Sequence, residues 1–413
     1  MLIDIRPLRE SPAFRRLWLG GALSSVGGTM TSYAVGLQIF QLTGSALAVG
    51  ALGLAIAVPA ILVGLAGGSV IDAVDRRRLV LLTTSGLAVV SVLLAAQAYA
   101  RLDQLWLLYA LVATQALFGA VNGPAIATFM PRLLPTDRLP AAAALKMIMM
   151  HASLTVGPAL AGVITASWGL RTCYVIDAVS FAAALYAVAR IPAMPPIGET
   201  TRPGVRAVVD GLGFVARTRV LAAAMVADLN ATVLGMPFAL FPAINQDRFG
   251  GDARTLGLLT TAVAVGGVLG AALSGPIARI ARPGVAILAG NAVWGAGLFG
   301  FGLVGNLWLT LALLAVAGAA DSMTVVFRNT ILQVATPDNL RGRASAVDYV
   351  VGAACPHLGN FRAGAVGSLV SPAISAASGG IAVIVGVALI RLAFPAFVRY
   401  RIPTTPEPQP ARA

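Results

Sequence analysis

The chain has 413 residues, of which 58% are hydrophobic and only 11% are charged. Soluble domains carry roughly 25% charged residues, so this composition excludes an ordinary soluble protein and indicates one that crosses a membrane many times. The formal net charge is +13, but the basic residues lie in short clusters between apolar segments. Such clusters anchor loops at the membrane surface and argue against nucleic acid as a partner.

Twelve apolar segments are long enough to cross a bilayer, which takes roughly 20 helical residues. They cover residues 14–40, 45–71, 79–100, 104–133, 139–167, 171–191, 219–245, 254–278, 283–304, 306–335, 343–369 and 373–396. The sequence therefore predicts an all-α membrane protein of about 12 transmembrane helices.

The distribution of arginines predicts the orientation of these spans. With the N-terminus in the cytoplasm, the predicted outer loops hold only Arg101, Arg171, Arg248 and Arg254. Arg328 and Arg362 lie inside spans, and the other arginines lie at the cytoplasmic side. Because cytoplasmic loops are enriched in Lys and Arg, both termini are expected in the cytoplasm.

A polar linker divides the chain into two similar halves. We predict a first six-helix bundle at 1–191, a cytoplasmic linker at 192–218, a second bundle at 219–396 and a cytoplasmic tail at 397–413. The linker is rich in proline at first, and its part from Val205 to Arg217 has the pattern of an amphipathic surface helix. The segments LLPTDRLPAAAAL and VATPDNLRGRASAV recur at an offset near 200 residues, which indicates the parallel repeat of many transporters.

The segment GGSVIDAVDRRRL concentrates charge between the second and third spans. It resembles the signature loop of the major facilitator superfamily, with matches at Gly68, Asp72, Arg76 and Arg77. It departs from that pattern at Ala73, where a basic residue is usual, and at Asp75, where glycine is usual. The resemblance implies a major facilitator fold with two pseudo-symmetric halves, in which Asp72 and the loop arginines gate the cytoplasmic side; topology alone would also explain the arginines.

Further segments are similar to bacterial exporters of this superfamily, which include the enterobactin exporter and macrolide efflux proteins. They are SPAFRRLWLGGALSSVG, LTGSALAVGALG, LPAAAAL, ARPGVAIL, LQVATPDNLRGRASAV and SASGGIAVIVGV. The resemblance implies a multi-pass protein of the bacterial inner membrane that exports a small molecule as a monomer. In the fifth span, Gly157, Pro158 and Gly162 resemble the antiporter signature, although its upstream glycines are missing. A Gly-Pro step can kink a helix, and small residues let helices approach closely.

Ionisable groups inside the membrane are costly, at roughly 2.5–3.5 kcal/mol each, and indicate function by default. We predict that proton coupling involves Asp228, Asp321, His151 and His357. Candidates for polar contact with substrate in a central cavity are Gln38, Gln115, Asn122, Lys146, Asn230, Arg328 and Arg362. The alternative for these charges is structural pairing, for example between Asp321 and Arg328.

The sequence argues against ATP hydrolysis as the energy source and against zinc-dependent catalysis. The single lysine, Lys146, follows Leu145, so there is no GxxxxGK[ST] loop for ATP hydrolysis. Neither histidine lies in an HExxH motif, and two cysteines make no metal cluster. We therefore expect no enzyme activity, no cofactor and no bound metal, and by resemblance we expect inward-running protons to drive transport.

The expected function is secondary active export of a siderophore of the enterobactin type, or of a related secondary metabolite. The alternative is macrolide or multidrug efflux, because the membrane charges are of both signs. A third alternative is a non-transporting sensor or scaffold with the same fold.

Overall fold

The computed structural model describes residues 4–66, 74–195, 205–273, 281–337 and 340–402. Long helices make up most of this part of the chain. They are α1 (Pro12–Thr43), α2 (Ala46–Ala66), α3 (Arg76–Tyr99), α4 (Leu105–Ala127), α5 (Leu139–Trp168), α6 (Arg171–Ala189), α7 (Arg219–Gly235), α8 (Ala253–Ala272), α9 (Pro283–Leu303), α10 (Leu307–Ala335), α11 (Arg341–Leu369) and α12 (Pro372–Ala393).

Each predicted span corresponds to one of these helices, but the count of membrane-crossing helices differs. Within the described ranges, ten helices are long and apolar enough to cross a membrane by length and composition. The helices α1 and α11 have 32 and 29 residues but are not among the ten. The all-α membrane fold is thus confirmed, and the number twelve stays a prediction.

Local sequence signals set where several helices begin and end. The Ser11 hydroxyl accepts a hydrogen bond from the Phe14 amide, and Pro12 occupies the first turn of α1, where its missing N–H is tolerated. The same helix ends at Gly44, whose φ of 61° is left-handed and strained for other residues. Asn306 and Ser371 cap α10 and α12 in the same way as Ser11.

The helices pack as two equivalent bundles. In the first, α1 packs on α5 and α6, α3 packs on α4 and α6, and α2 packs on α4. In the second, α7 packs on α11 and α12, α9 packs on α10 and α12, and α8 packs on α10. Each contact in the first bundle has its counterpart six helices later, so the repeat read from the sequence is also a repeat of packing.

The two halves meet along two helix pairs, α2 with α11 and α5 with α8. These pairs are themselves equivalent under the repeat. We call the end of the molecule that holds the short helices Arg6–Glu10, Val205–Arg217 and Pro395–Arg399 the termini side, and the opposite end the far side.

The helix α7 is interrupted near the far side, whereas the sequence predicted one span at 219–245. It ends at Gly235, and Pro237 precedes a single 3-10 turn, Phe238–Leu240, followed by the helix Phe241–Phe249. Proline lacks an N–H group and breaks the helical hydrogen-bond ladder. The side chain of Asn360 in α11 accepts a hydrogen bond from the Ala239 amide at 3.2 Å and so stabilises the break.

The linker forms the predicted helix over Val205–Arg217, which packs on α11 and α7. Residues 192–195 are not helical, as the prolines suggest, and residues 196–204 lie outside the described ranges. Close to the end of the described chain, the short helix Pro395–Arg399 packs on α9 and α7.

Candidate functional site: a cavity between the two halves

A cavity of about 660 Å³ lies between the two halves. Its walls come from α1, α2 and α5 of the first half and from α8, α10, α11 and the segment after α7 in the second. Most lining side chains are apolar, including Met147, Met150, Phe238 and Phe241. Pockets of roughly 300–1,000 Å³ with this character accommodate organic molecules of drug size.

Three ionisable side chains predicted for proton coupling face this cavity. They are Asp321 on α10, His151 on α5 and His357 on α11, and each is half-buried. Among the described lining residues, Asp321 is the only acid, and no Lys or Arg lines the cavity. The described residues give Asp321 no ion pair within 4.0 Å.

Hydrogen bonds between the halves close the cavity on the far side. The Tyr33 hydroxyl of α1 donates to the carbonyl of Ala253 in α8 at 2.6 Å. The amide of Leu47 donates to the Ser368 hydroxyl at 2.8 Å and ties α2 to α11. No comparable bond between the halves occurs near the termini side in the described part of the chain.

Glycines bring the helices of this seal into direct contact. A Cβ atom built on Gly162 of α5 would lie 2.8 Å from the Ala253 carbonyl oxygen and 3.2 Å from the Gly257 Cα. A Cβ on Gly257 would lie 2.7 Å from the Pro158 carbonyl oxygen. The antiporter-like segment with Pro158 and Gly162 therefore forms the α5–α8 contact, where no larger residue fits.

We expect Gly162→Leu to open the far side, because its side chain overlaps the main chain of α8. The measurement is the labelling of a cysteine placed in the cavity wall by Thr260→Cys, with a membrane-impermeant thiol reagent applied from the far side in intact cells. Labelling should rise several-fold and export should be lost. Gly119→Leu is the control, since a Cβ there meets nothing within 4 Å; equal labelling in the two variants would contradict the role of this contact.

Asp228 is not among the residues that line the cavity but belongs to a cluster of ion pairs in the second half. Arg328 of α10 pairs with Asp228 of α7, and its Nε lies 3.3 Å from an oxygen of Asp348 in α11. The alternative pairing of Asp321 with Arg328 is therefore wrong. Arg328 is 7% exposed, and its ion pairs join three helices of the second half.

Two predicted substrate contacts lie inside the first bundle instead. Gln38 exchanges amide hydrogen bonds with Gln97 and also accepts one from the Tyr174 hydroxyl at 2.7 Å. Asn122 donates to both hydroxyls of the Thr83–Thr84 pair. Both side chains are buried and satisfy their polar groups within the bundle, which accounts for their presence in apolar helices.

The other predicted contacts also lie outside the cavity lining. Asn230 donates to a carbonyl of α12 at 3.0 Å, and Arg362 donates to the carbonyl of Leu234 near the break in α7. Lys146 is exposed and Gln115 is half-buried, and neither faces the cavity. In the described conformation, none of these seven polar side chains is among the residues that line the cavity, and their contact with substrate stays a prediction.

The predicted gating loop is only partly described. Gly68 and Asp72 lie outside the described residues, so their predicted gating role stays a prediction. Arg77 donates from Nη2 to the carbonyl of Ala189 at the end of α6, at 2.7 Å, and the amide of Arg76 donates to the carbonyl of Met194. Arg76 thus contacts the start of the linker, and Arg77 contacts the end of α6.

Asp75, the departure from the family pattern, has a clear structural role. One of its carboxylate oxygens accepts from the Arg78 amide at 2.9 Å and caps α3. The other accepts from the Met194 amide at 3.0 Å. A glycine at this position could make neither contact.

Sequence reasoning missed several polar groups of the cavity, among them Thr29, Ser32, Thr260, Ser322 and Asn329. Their side chains are small or neutral and are common in membrane helices, where they often serve packing. A signal was available for Ser322 and Asn329, since they lie seven residues apart and so share one face of α10, next to that of Asp321.

Comparisons with known proteins agree with this architecture. The family described as "Transmembrane secretion effector" matches residues 4–411. The enterobactin exporter EntS of Shigella boydii is 26% identical over 391 residues, which covers 94% of each chain.

Solved transporter structures share the fold at low identity. A mutant of the nucleoside transporter NupG superposes with a TM-score of 0.75 at 12% identity and covers 93% of this chain and 99% of that chain. A bacterial homologue of the iron transporter ferroportin in its inward-facing state gives 0.70 at 17% identity, over 94% and 99%. The chain therefore belongs to the transmembrane secretion effector family of the major facilitator superfamily.

Proposed function

We propose that the protein is a secondary active exporter that moves a siderophore of the enterobactin type, or a related secondary metabolite, across the bacterial inner membrane. The observation that carries this proposal is the apolar cavity between two equivalent helical bundles, whose halves are joined by hydrogen bonds at the far side. The similarity to the enterobactin exporter over 94% of the chain supports the substrate class.

Alternating access follows from the way the halves meet. The termini side is assigned to the cytoplasm on the distribution of arginines, so the described conformation takes substrate from the cell interior. The far-side seal consists of a few hydrogen bonds and glycine contacts, which can break together when one bundle rocks against the other. Rocking of two repeats around a central site is the general motion of such transporters.

Proton antiport is assigned to Asp321. Its carboxyl group faces the cavity and has no ion pair within 4.0 Å among the described residues, so it is free to bind and release a proton. Asp321 binds a proton when the cavity is open to the outer side and releases it when the cavity is open to the cytoplasm. Each cycle can therefore couple proton entry to substrate exit. His151 and His357 face the same cavity and can pass protons to and from it.

The cavity chemistry favours substrates that enter without several negative charges. Neither Lys nor Arg lines the described cavity, whereas Asp321 does, so a substrate is best accepted as a neutral or a cationic molecule. A siderophore with protonated hydroxyl groups fits this condition. The second candidate, efflux of macrolides or other cationic drugs, is favoured by the same acidic group.

The test is export from cells that lack their own siderophore exporter. Secreted catechol is measured by absorbance and macrolide resistance is measured in parallel, each with and without a protonophore. We expect the protein to restore secretion and the protonophore to abolish it. Resistance without secretion would replace the first substrate class by the second, and neither effect in correctly inserted protein would contradict transport and favour the scaffold alternative.

A further inference from the structure

A carboxyl group lies fully buried inside the first bundle, away from the cavity. Asp177 of α6 has a relative exposure of 0%. One of its oxygens, Oδ2, accepts hydrogen bonds from the Thr31 hydroxyl of α1 at 2.9 Å and from the Ser91 hydroxyl of α3 at 2.7 Å. Its other oxygen, Oδ1, has no hydrogen-bond partner among the described residues.

Among the described residues, no cation lies within 4.0 Å of this carboxyl. The described ion pairs, counted to 4.0 Å, do not include Asp177, whereas Asp228 and Asp348 share Arg328. On its own helix, the guanidinium of Arg171 lies over the ring of Tyr99, 5.7 Å from its centre. The charge of Arg171 therefore interacts with Tyr99 and not with Asp177.

The neighbouring titratable groups make hydrogen bonds to residues other than Asp177. On α1, the Tyr33 hydroxyl donates to the Ala253 carbonyl. On α6, the Tyr174 hydroxyl donates to Gln38, and the Cys173 thiol contacts Thr165 and the Ala161 carbonyl of α5. The helix α3 contains no titratable residue between its N-terminal arginines and Tyr99.

The protonated form of the carboxyl satisfies this environment best. An ionised carboxylate buried without a counter-ion is strongly unfavourable, and such groups neutralise instead. A neutral carboxyl leaves Oδ2 as a carbonyl acceptor for both hydroxyls and carries its proton on Oδ1. A Cβ on Gly27 of α1 would lie 2.6 Å from Oδ1, so the helices leave no room there for a hydrated metal ion.

We propose that Asp177 is a proton-binding site inside the first bundle, separate from the cavity, and that it is occupied by a proton in the described conformation. The site acts on α1, because Thr31 directly precedes Ser32 and Tyr33, which line the cavity. Loss of the proton would place a charge between α1, α3 and α6 and weaken their packing. This proposal does not depend on the proposed substrate or on the role of Asp321.

The first test is the infrared spectrum of the purified full-length protein in lipid nanodiscs. We expect a band of a protonated carboxyl at neutral pH that disappears in Asp177→Asn and persists in Asp321→Asn. The asparagine keeps one carbonyl acceptor and replaces the O–H by an N–H donor, so the bundle should keep its packing. An unchanged spectrum in Asp177→Asn would overturn the proposal.

The second test is the thermal unfolding temperature as a function of pH, in sodium and in choline chloride. When a group is protonated in the folded protein but ionised in the unfolded chain, the free energy of unfolding falls as the pH rises. The wild type should therefore lose more stability than Asp177→Asn as the pH rises from mildly acidic to alkaline values, equally in both salts. Stabilisation by sodium that Asp177→Asn removes would instead identify a metal-cation site and overturn the proposal.

A third variant keeps the proposal testable if Asp177→Asn does not fold. Ser91→Ala removes one hydrogen bond to the carbonyl oxygen of the protonated carboxyl, so its band should shift to higher frequency. Ser180→Ala is the matched control, because that hydroxyl donates to the main-chain carbonyl of Asp177 and not to its side chain. The absence of a shift in Ser91→Ala would contradict a protonated carboxyl at this position.

Discussion

Replacing Asp321 by asparagine is expected to reduce protonophore-sensitive export to the level of cells without the protein. The asparagine has nearly the same shape but cannot bind and release a proton, and Asp321 is the only acid among the described cavity residues. The measurement is initial export rate in inverted membrane vesicles with an imposed proton gradient, together with binding of the exported compound to purified protein.

A measurement of substrate binding separates two roles of Asp321, which are proton coupling and recognition of a charged substrate. If the carboxyl serves proton coupling alone, a neutral substrate should bind Asp321→Asn within a few-fold of the wild type while export is lost. Weakened binding of a cationic drug would show direct charge recognition as well. The matched control is Asp247→Asn, an exposed acid outside the cavity, which should export normally; full gradient-driven export by Asp321→Asn would contradict the assignment.

Replacing Arg328 by methionine is expected to give the largest loss of stability of any single ion-pair change. The change leaves Asp228 and Asp348 buried together without their cation. Breaking a buried ion pair by removing one partner costs about 3–5 kcal/mol. The measurement is thermal unfolding in detergent, and export should fall because less folded protein reaches the membrane.

Two further variants show whether charge is the cause. Arg138→Met removes the pair with Glu10, whose side chains are 19% and 47% exposed, and such a surface pair contributes about 0–1 kcal/mol. The triple variant Asp228→Asn, Arg328→Met and Asp348→Asn removes all three charges and should recover much of the lost stability. If Arg328→Met were no more destabilising than Arg138→Met, the cluster would not stabilise the second bundle.

The prediction of the helices succeeded because it depends on local properties. Apolar segments, proline positions and capping residues such as Ser11 determine where a helix can form, and the repeat near 200 residues indicated two equivalent halves. The prediction failed at the break in α7, where Pro237 lies inside a long apolar segment and the side chain of Asn360, over a hundred residues later, stabilises the interruption.

The structure places some of the predicted site residues at the cavity and others inside the helical bundles. Asp321, His151 and His357 line the cavity, whereas Gln38 and Asn122 are bonded within the first bundle. A polar residue in an apolar helix needs a partner, but its sequence position does not show whether that partner is a neighbouring helix or a cavity.

The sequence by itself determined the membrane class, the helices, the two halves and the family, since these follow from composition, periodicity and repeated segments. Only the tertiary structure decided which charges are paired and which face open space. Arg328 was equally placed along the chain to meet Asp321 or other acids, and the packing of α7 and α11 against α10 directed it to Asp228 and Asp348. The physical reason is that pairing and exposure depend on the rotation and neighbours of each helix, which are set by contacts between residues far apart in the chain.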